Sequence, residues 1–162
     1  MVHSLFTSQD DWDGELEGFE AGWPGFFDVL RLYLAHFPGT SVASIPASAA
    51  HPNGDPAAWS QLTAALDLAG ANVGERRQSP AVGPRLASTV ERVKQDDKSR
   101  EAMLRLDQPA PGIALIGSYV WDQSGQGAVS LFFYGADAQR TADAVRDEWA
   151  SWLRDLFEAA AA

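Results

Sequence analysis

Histidine, cysteine, serine and paired carboxylates build most catalytic and metal sites, and their placement in this 162-residue chain points away from each of those chemistries. The histidines, His3, His36 and His51, include no pair at a metal-ligand spacing. Cysteine is absent, which excludes disulfides, thiolate metal sites and a thiol nucleophile. No serine stands in the Gly-x-Ser-x-Gly setting of a nucleophile elbow. Gly125-Gln126-Gly127 lacks the third glycine of a dinucleotide fingerprint and reads as part of a hairpin loop. Asp10-Asp11-Trp12-Asp13-Gly14 lacks the alternating ligands and the closing glutamate of a calcium loop. Carboxylates are plentiful but occupy surface-like positions, which leaves no residue on which to rest general acid/base chemistry. No catalytic residue, metal or cofactor is therefore expected. What remains is aromatic: Tyr119, Trp121, Phe133, Trp149 and Trp152 suit the lining of an apolar space for a small hydrophobic ligand.

Those five residues need a sheet and a helix to position them, and the apolar periods supply both. Branched and aromatic runs at Leu86–Val93, Ala102–Leu106, Ile113–Trp121 and Ala128–Tyr134, separated by turn clusters, predict antiparallel strands. Val42–Ile45 adds a short fifth. In the third run both alternating faces are largely apolar, so that strand is expected to be covered on both sides or to line a cavity with one of them. A final helix from Ala136 or Asp137 to about Phe157 carries Ala138, Ala142, Val145, Trp149, Trp152, Leu153, Leu156 and Phe157 on one stripe. A shorter helix is predicted over Pro56–Ala69, capped by Asp55 and stopped by Gly70. The expected class is α+β, an antiparallel sheet gripped by a long terminal helix.

A first helix precedes this unit. Thr7 or Ser8 is its expected cap, Asp10 or Asp11 its start, and Pro38-Gly39 its stop. Pro24 predicts a kink near Glu20–Pro24, or two helical pieces meeting there. Trp23, Phe26, Phe27, Leu30, Tyr33, Leu34 and Phe37 recur at helical steps as a broad apolar stripe, read as core. Residues 40–58, rich in Pro, Ser, Asn and Gly, form the linker.

The net charge of −10 argues against a nucleic-acid backbone or an anionic membrane surface as partner. Residues 1–39 set seven carboxylates against Arg31 alone, an acidic face that suits both water and the positive end of a helix. With no apolar run of membrane-spanning length and no signal-peptide pattern, the chain is expected to be cytoplasmic. Ten arginines against two lysines, with abundant alanine, point to a GC-rich bacterial genome.

The stretch Gly22-Trp23-Pro24-Gly25-Phe26-Phe27-Asp28-Val29-Leu30-Arg31-Leu32-Tyr33-Leu34 joins a Trp-Pro pair to the aromatic stripe. It resembles the closing helix of SRPBCC (START-like, helix-grip) domains of the heat-shock protein 90 ATPase activator-like branch, where a Gly-Trp-Pro step precedes a long helix lying across a curved sheet. Residues 2–37 resemble the end of one such domain, with Val2-His3-Ser4 as the tail of its last strand, and residues 42–158 a divergent second one. The resemblance implies a hydrophobic cavity between sheet and terminal helix. It divides the chain into 1–39, the end of one domain, and 40–162, a shortened copy with room for about five strands. Three functional classes follow in order: a noncatalytic module binding a small apolar ligand, a protein-interaction module of the chaperone-activator kind, and an enzyme using a START-like cavity. The aromatic face of the first helix is too large to leave in water, so a two-fold homodimer through that helix is expected.

Overall fold

The computed structural model describes residues 13–96, 99–121 and 124–159, with side chains over 25–96, 100–120 and 124–159. The expected cap at Thr7 or Ser8, the helix start at Asp10 or Asp11 and the strand tail at Val2–Ser4 lie outside the described residues. Two compact units make up the chain, Met1–Pro38 and Gly39–Ala162.

In the first unit, α1 runs from Asp13 to His36. It is one helix, not two pieces: Pro24 withholds a single amide hydrogen bond, and the element continues on both sides of it. Phe37 N–H still donates to Tyr33 O at 2.8 Å before Pro38 and a left-handed Gly39 (φ 74°) end the helix. The stripe read as core is largely exposed instead, with Phe26 at 60%, Phe27 at 49%, Leu30 at 48% and Leu34 at 60%. Val29 and Leu32 are the buried positions. Apolar residues occupy more than one side of this helix, so a 3.6-residue period alone does not say which side is covered.

The second unit is a six-stranded antiparallel sheet. Its strands are β1 (Val42–His51), β2 (Arg76–Gln78), β3 (Ala87–Gln95), β4 (Ser99–Gln108), β5 (Gly112–Trp121) and β6 (Ser124–Tyr134), in the order β1-β6-β5-β4-β3-β2. Two helices join them, α2 (Asp55–Ala65) and α3 (Ala138–Glu158). The architecture is α+β, as expected, with one strand more than the four or five anticipated. That extra strand, β2, is Arg-Arg-Gln, which has no apolar alternation to betray it. It exists because β3 offers it an edge, and the flanking bonds Gly74 N–H to Val90 O (2.8 Å) and Ser79 N–H to Leu86 O (2.8 Å) extend the ladder beyond it.

β1 takes ten residues of the passage read as linker, well past the expected Ile45. It is rich in Ala and Ser, but its burial alternates: Ala43, Ile45 and His51 point to the covered face, while Ser44, Pro46, Ser48 and Ala50 are exposed. Pro46 is tolerated because β1 is an edge strand, with only one side to hydrogen-bond. The helix expected to reach Ala69 stops at Ala65 in a Schellman turn. Leu68 N–H reaches Thr63 O at 2.7 Å and Asp67 N–H reaches Ala64 O at 3.4 Å, with Asp67 left-handed at φ 57°. The turn swings Leu66 and Leu68 into the core.

Both helices cover the same face of the sheet, α3 over β1 and β6, α2 over β6 and β5. Between them and the strands lie Leu62, Leu104, Ile116, Leu131, Phe133, Trp149, Leu153 and Phe157, all essentially without solvent contact. The α3 stripe falls where its period placed it, with Val145, Trp152 and Leu156 half-buried at its margins. Met103 and Ile113 alternate away from this core yet are also buried, so β5 carries buried residues on both faces. Among the described residues no helix is long and apolar enough to cross a membrane.

Two outcomes follow from this packing. Trp149→Ala removes a fully buried indole and is expected to cost about 3–5 kcal/mol, with Trp152→Ala costing less from its half-buried position; urea melts of both variants check the order. The second concerns Glu75, which accepts hydrogen bonds from the Asn72 side chain (3.0 Å), the Asn72 backbone (3.1 Å) and Arg77 (2.5 Å). These donors, the Asn72 amide first, lower its pKa from 4.5 to about 2. A depressed carboxylate stabilises the fold above its unfolded value and loses that contribution as pH falls through the folded one. Acid titration should therefore show stability draining between pH 4.5 and about 2, and a Glu75→Gln variant should lose that part of the slope.

Candidate binding cleft at the end of the terminal helix

The five aromatic residues expected to line a cavity occupy different surroundings. Phe133 and Trp149 are fully buried members of the core. Trp152 packs edge-on against Trp149, with centroids 5.4 Å apart and an interplanar angle of 79°. The loop before β3 closes over it: a Cβ placed on Gly83 would lie 2.7 Å from Trp152 Nε1. Ser79 Oγ holds that loop by donating to Pro84 O (2.8 Å) and accepting from Leu86 N–H (2.9 Å). Tyr119, 37% exposed, alternates with Ser118 and points to the face opposite the helices. The side chain of Trp121 lies outside those described.

Polar groups gather instead where β1 ends, α2 begins and α3 finishes. Register places His51 beside Gly125, Ser118 beside Gly127, and Arg100 beside Ser118, a band of small and polar residues across the covered face. The glycines set how near the helices come. A Cβ on Gly125 would sit 2.1 Å from the carbonyl carbon of Gly54, and one on Gly127 only 2.4 Å from the Phe157 ring. Residues 124–127, expected in a hairpin loop, thus belong to β6, and the lack of a side chain at Gly125 and Gly127 is what admits α2 and α3.

His51 is buried and fully engaged. Its Nδ1 accepts the Asn53 amide at 3.1 Å, so the proton resides on Nε2, which donates to Gln61 Oε1 at 2.8 Å. Gln61 Nε2 passes the chain on to Leu156 O at 2.6 Å, and the imidazole meets the Phe157 ring edge-on, centroids 4.8 Å apart. One side chain thereby ties β1 to α2 and α3. It has no lone pair left for proton transfer, and its work is positional.

Asp55 departs from the cap assigned to it. Gly54 occupies the cap position, and the Asp55 carboxylate, buried on the first turn of α2, pairs with Arg100 of β4. A cap bond satisfies one amide, whereas a half-buried guanidinium next to the same carboxylate offers a charge as well. Among the described residues, Asp55 Oδ1 and Ser118 Oγ are buried and find no hydrogen-bond partner.

Beside this cluster an open cleft of about 410 Å³ is floored by His51 and Phe157 and rimmed by Ala50, Pro52, Ser124 and Glu158, with the Gly54 and Gly125 backbone between. A second cavity, about 40 Å³ between α2 and β3–β4 near Trp59, Thr63, Val90 and Ala102, has room for little more than a water molecule. Among the described residues no three histidines or carboxylates stand close enough to hold a metal ion. In the linear sequence His51 is an isolated histidine and Gly125 reads as a turn residue. The only signal that pairs them is register, and register depends on β1, most of which was read as linker.

No protein-family model matches the chain, and no curated protein matches it. Among solved structures it is similar to the crystal structure of protein MLL2253 from Mesorhizobium loti, at 14% sequence identity and a TM-score of 0.46, over 73% of this chain and 97% of that one. A likeness of that depth carries no functional argument.

The close approach at Gly127 can be measured directly. Gly127→Ala drives a methyl group into the Phe157 ring and is expected to cost about 1–3 kcal/mol in a thermal or urea melt, with the amide signals of the cleft displaced in the native state.

Proposed function

We propose that Gly39–Ala162 is an SRPBCC-like, helix-grip module that binds a small hydrophobic ligand without transforming it. Support for the class comes from the antiparallel sheet with a long amphipathic terminal helix across one face, the arrangement that the Gly-Trp-Pro resemblance implies. The observation that carries the binding role is the cleft of about 410 Å³ at the end of α3, within the size range of small-molecule sites and floored by two buried rings. The ligand belongs there and not deeper, because Phe133, Trp149, Leu153 and Phe157 fill the space directly between α3 and the sheet. Binding without chemistry fits the same residues, since both His51 nitrogens are occupied and Asp55 is paired with Arg100. Titration of the protein with benzyl alcohol, followed by backbone amide shifts, should give saturable changes at Ser124 and Gly125 and none at Val90. A Ser124→Trp variant, which plugs the cleft from its rim, should abolish them at unchanged melting temperature. Shifts that never saturate, or that spread evenly over the chain, defeat the reading.

A second reading rests on α1. Phe26, Leu30 and Leu34 fall at four-residue steps and are each about half exposed or more, with Phe27 beside them. We propose that this strip makes the protein a homodimer, because a strip symmetric about Leu30 matches its own copy in an antiparallel helix pair, as a two-fold axis requires. Sedimentation at micromolar concentration should give twice the 17.4 kDa chain mass, and a Phe27→Asp, Leu30→Asp double variant should give one. A monomeric parent sinks this reading.

A further inference from the structure

Resting on the reading of the cleft as a binding site, we infer that its ligand is an organic cation, a primary ammonium group on a compact apolar body. Three observations set the sign of the charge. Glu158 is the one charged side chain on the cleft among the described residues, and His51, whose Nδ1 accepts a hydrogen bond, is neutral. The first turn of α2 borders the cleft at Gly54, and a helix start ordinarily favours an anion. Here that preference is weakened, because Pro56 has no amide hydrogen to donate. The chain as a whole carries −10, which raises the local concentration of cations over that of anions.

The floor and rim describe the rest of the ligand. Ala50, Pro52 and the edge of Phe157 offer apolar contact. Ser124 supplies a hydroxyl oxygen on the rim, a second acceptor for the three N–H donors of an ammonium group. A carboxylate ligand would meet Glu158 instead, a like charge that no cation among the described residues of the cleft offsets.

The test compares three isosteric probes on the full chain, benzylammonium chloride, benzyl alcohol and sodium benzoate, each titrated at low and at high salt while the amides of Ser124, Gly125 and Glu158 are followed. Benzylammonium should bind tightest and benzoate weakest. Glu158→Gln should weaken benzylammonium by about two- to fivefold, as an exposed ion pair does, and leave benzyl alcohol unchanged. Added salt should narrow the gap between the probes. If benzyl alcohol and benzylammonium bind equally, or Glu158→Gln changes neither, the cation inference is overturned while the cleft stands as a ligand site. If none of the three shifts these amides, the binding reading itself falls.

Discussion

The ten-residue pairing of β1 with β6 is the constraint on which the rest of the second unit depends. β1 is remote in sequence from its partner, so the loop between them must close before any of its hydrogen bonds form. Once it is closed, the sheet gains the edge on which most of α3 rests. Without β1, the stripe of Ala142, Trp149, Leu153 and Phe157 would have little more than β6 to lie against. The pairing also delivers His51 to Gly125, and through Gln61 it locks the end of the strand to both helices. Fold and candidate site therefore share one origin.

Packing, not charge, dominates the energetics. The covered face is closed by large side chains at full burial, each worth roughly 1.5–3 kcal/mol of transfer free energy. The ion pairs on the other face of the sheet, Glu91 with Arg105 and Arg92 with Glu101, join β3 to β4 across a bulge at Glu91. They are partly solvated and contribute about 0–1 kcal/mol each, serving the register of the two strands more than their stability. Asp55 with Arg100 is the exception, since its carboxylate is buried on the first turn of α2. Removing either partner would leave the other charge without compensation, which is more damaging than the pair is stabilising.

Three glycine-dependent contacts convert this packing into shape. Gly125 and Gly127 let α2 and the tip of α3 settle on β6, and Gly83 lets the loop before β3 close over the Trp152 indole. At all three the neighbouring atoms come nearer than any side chain allows. The cleft exists because the last turn of α3 ends beside this low point in the sheet, leaving Phe157 and His51 as its floor.

Much of this was legible in the residues. The β-period runs became β3 to β6, and the terminal stripe became α3. Those features are local, and a period of two or 3.6 carries them without reference to anything distant. Other features depend on a partner. Val42–Ile45 was legible as a short strand, but the rest of β1 and all of β2 are strands because an edge was available to them, and Pro-Ala-Ser-Ala-Ala or Arg-Arg-Gln has no period to announce that. The covered side of α1 is that of Val29 and Leu32, although Phe26, Leu30 and Leu34 are the more apolar choice by pattern. Asp55 left its cap for Arg100, and Gly125 left its turn for a strand, each because a group far along the chain came within reach. Sequence by itself determined which faces are apolar and which segments carry a helical or a strand period. Only the tertiary structure decided which of those faces are buried and which polar residues meet, because burial and hydrogen bonding are properties of two surfaces and a linear pattern describes one.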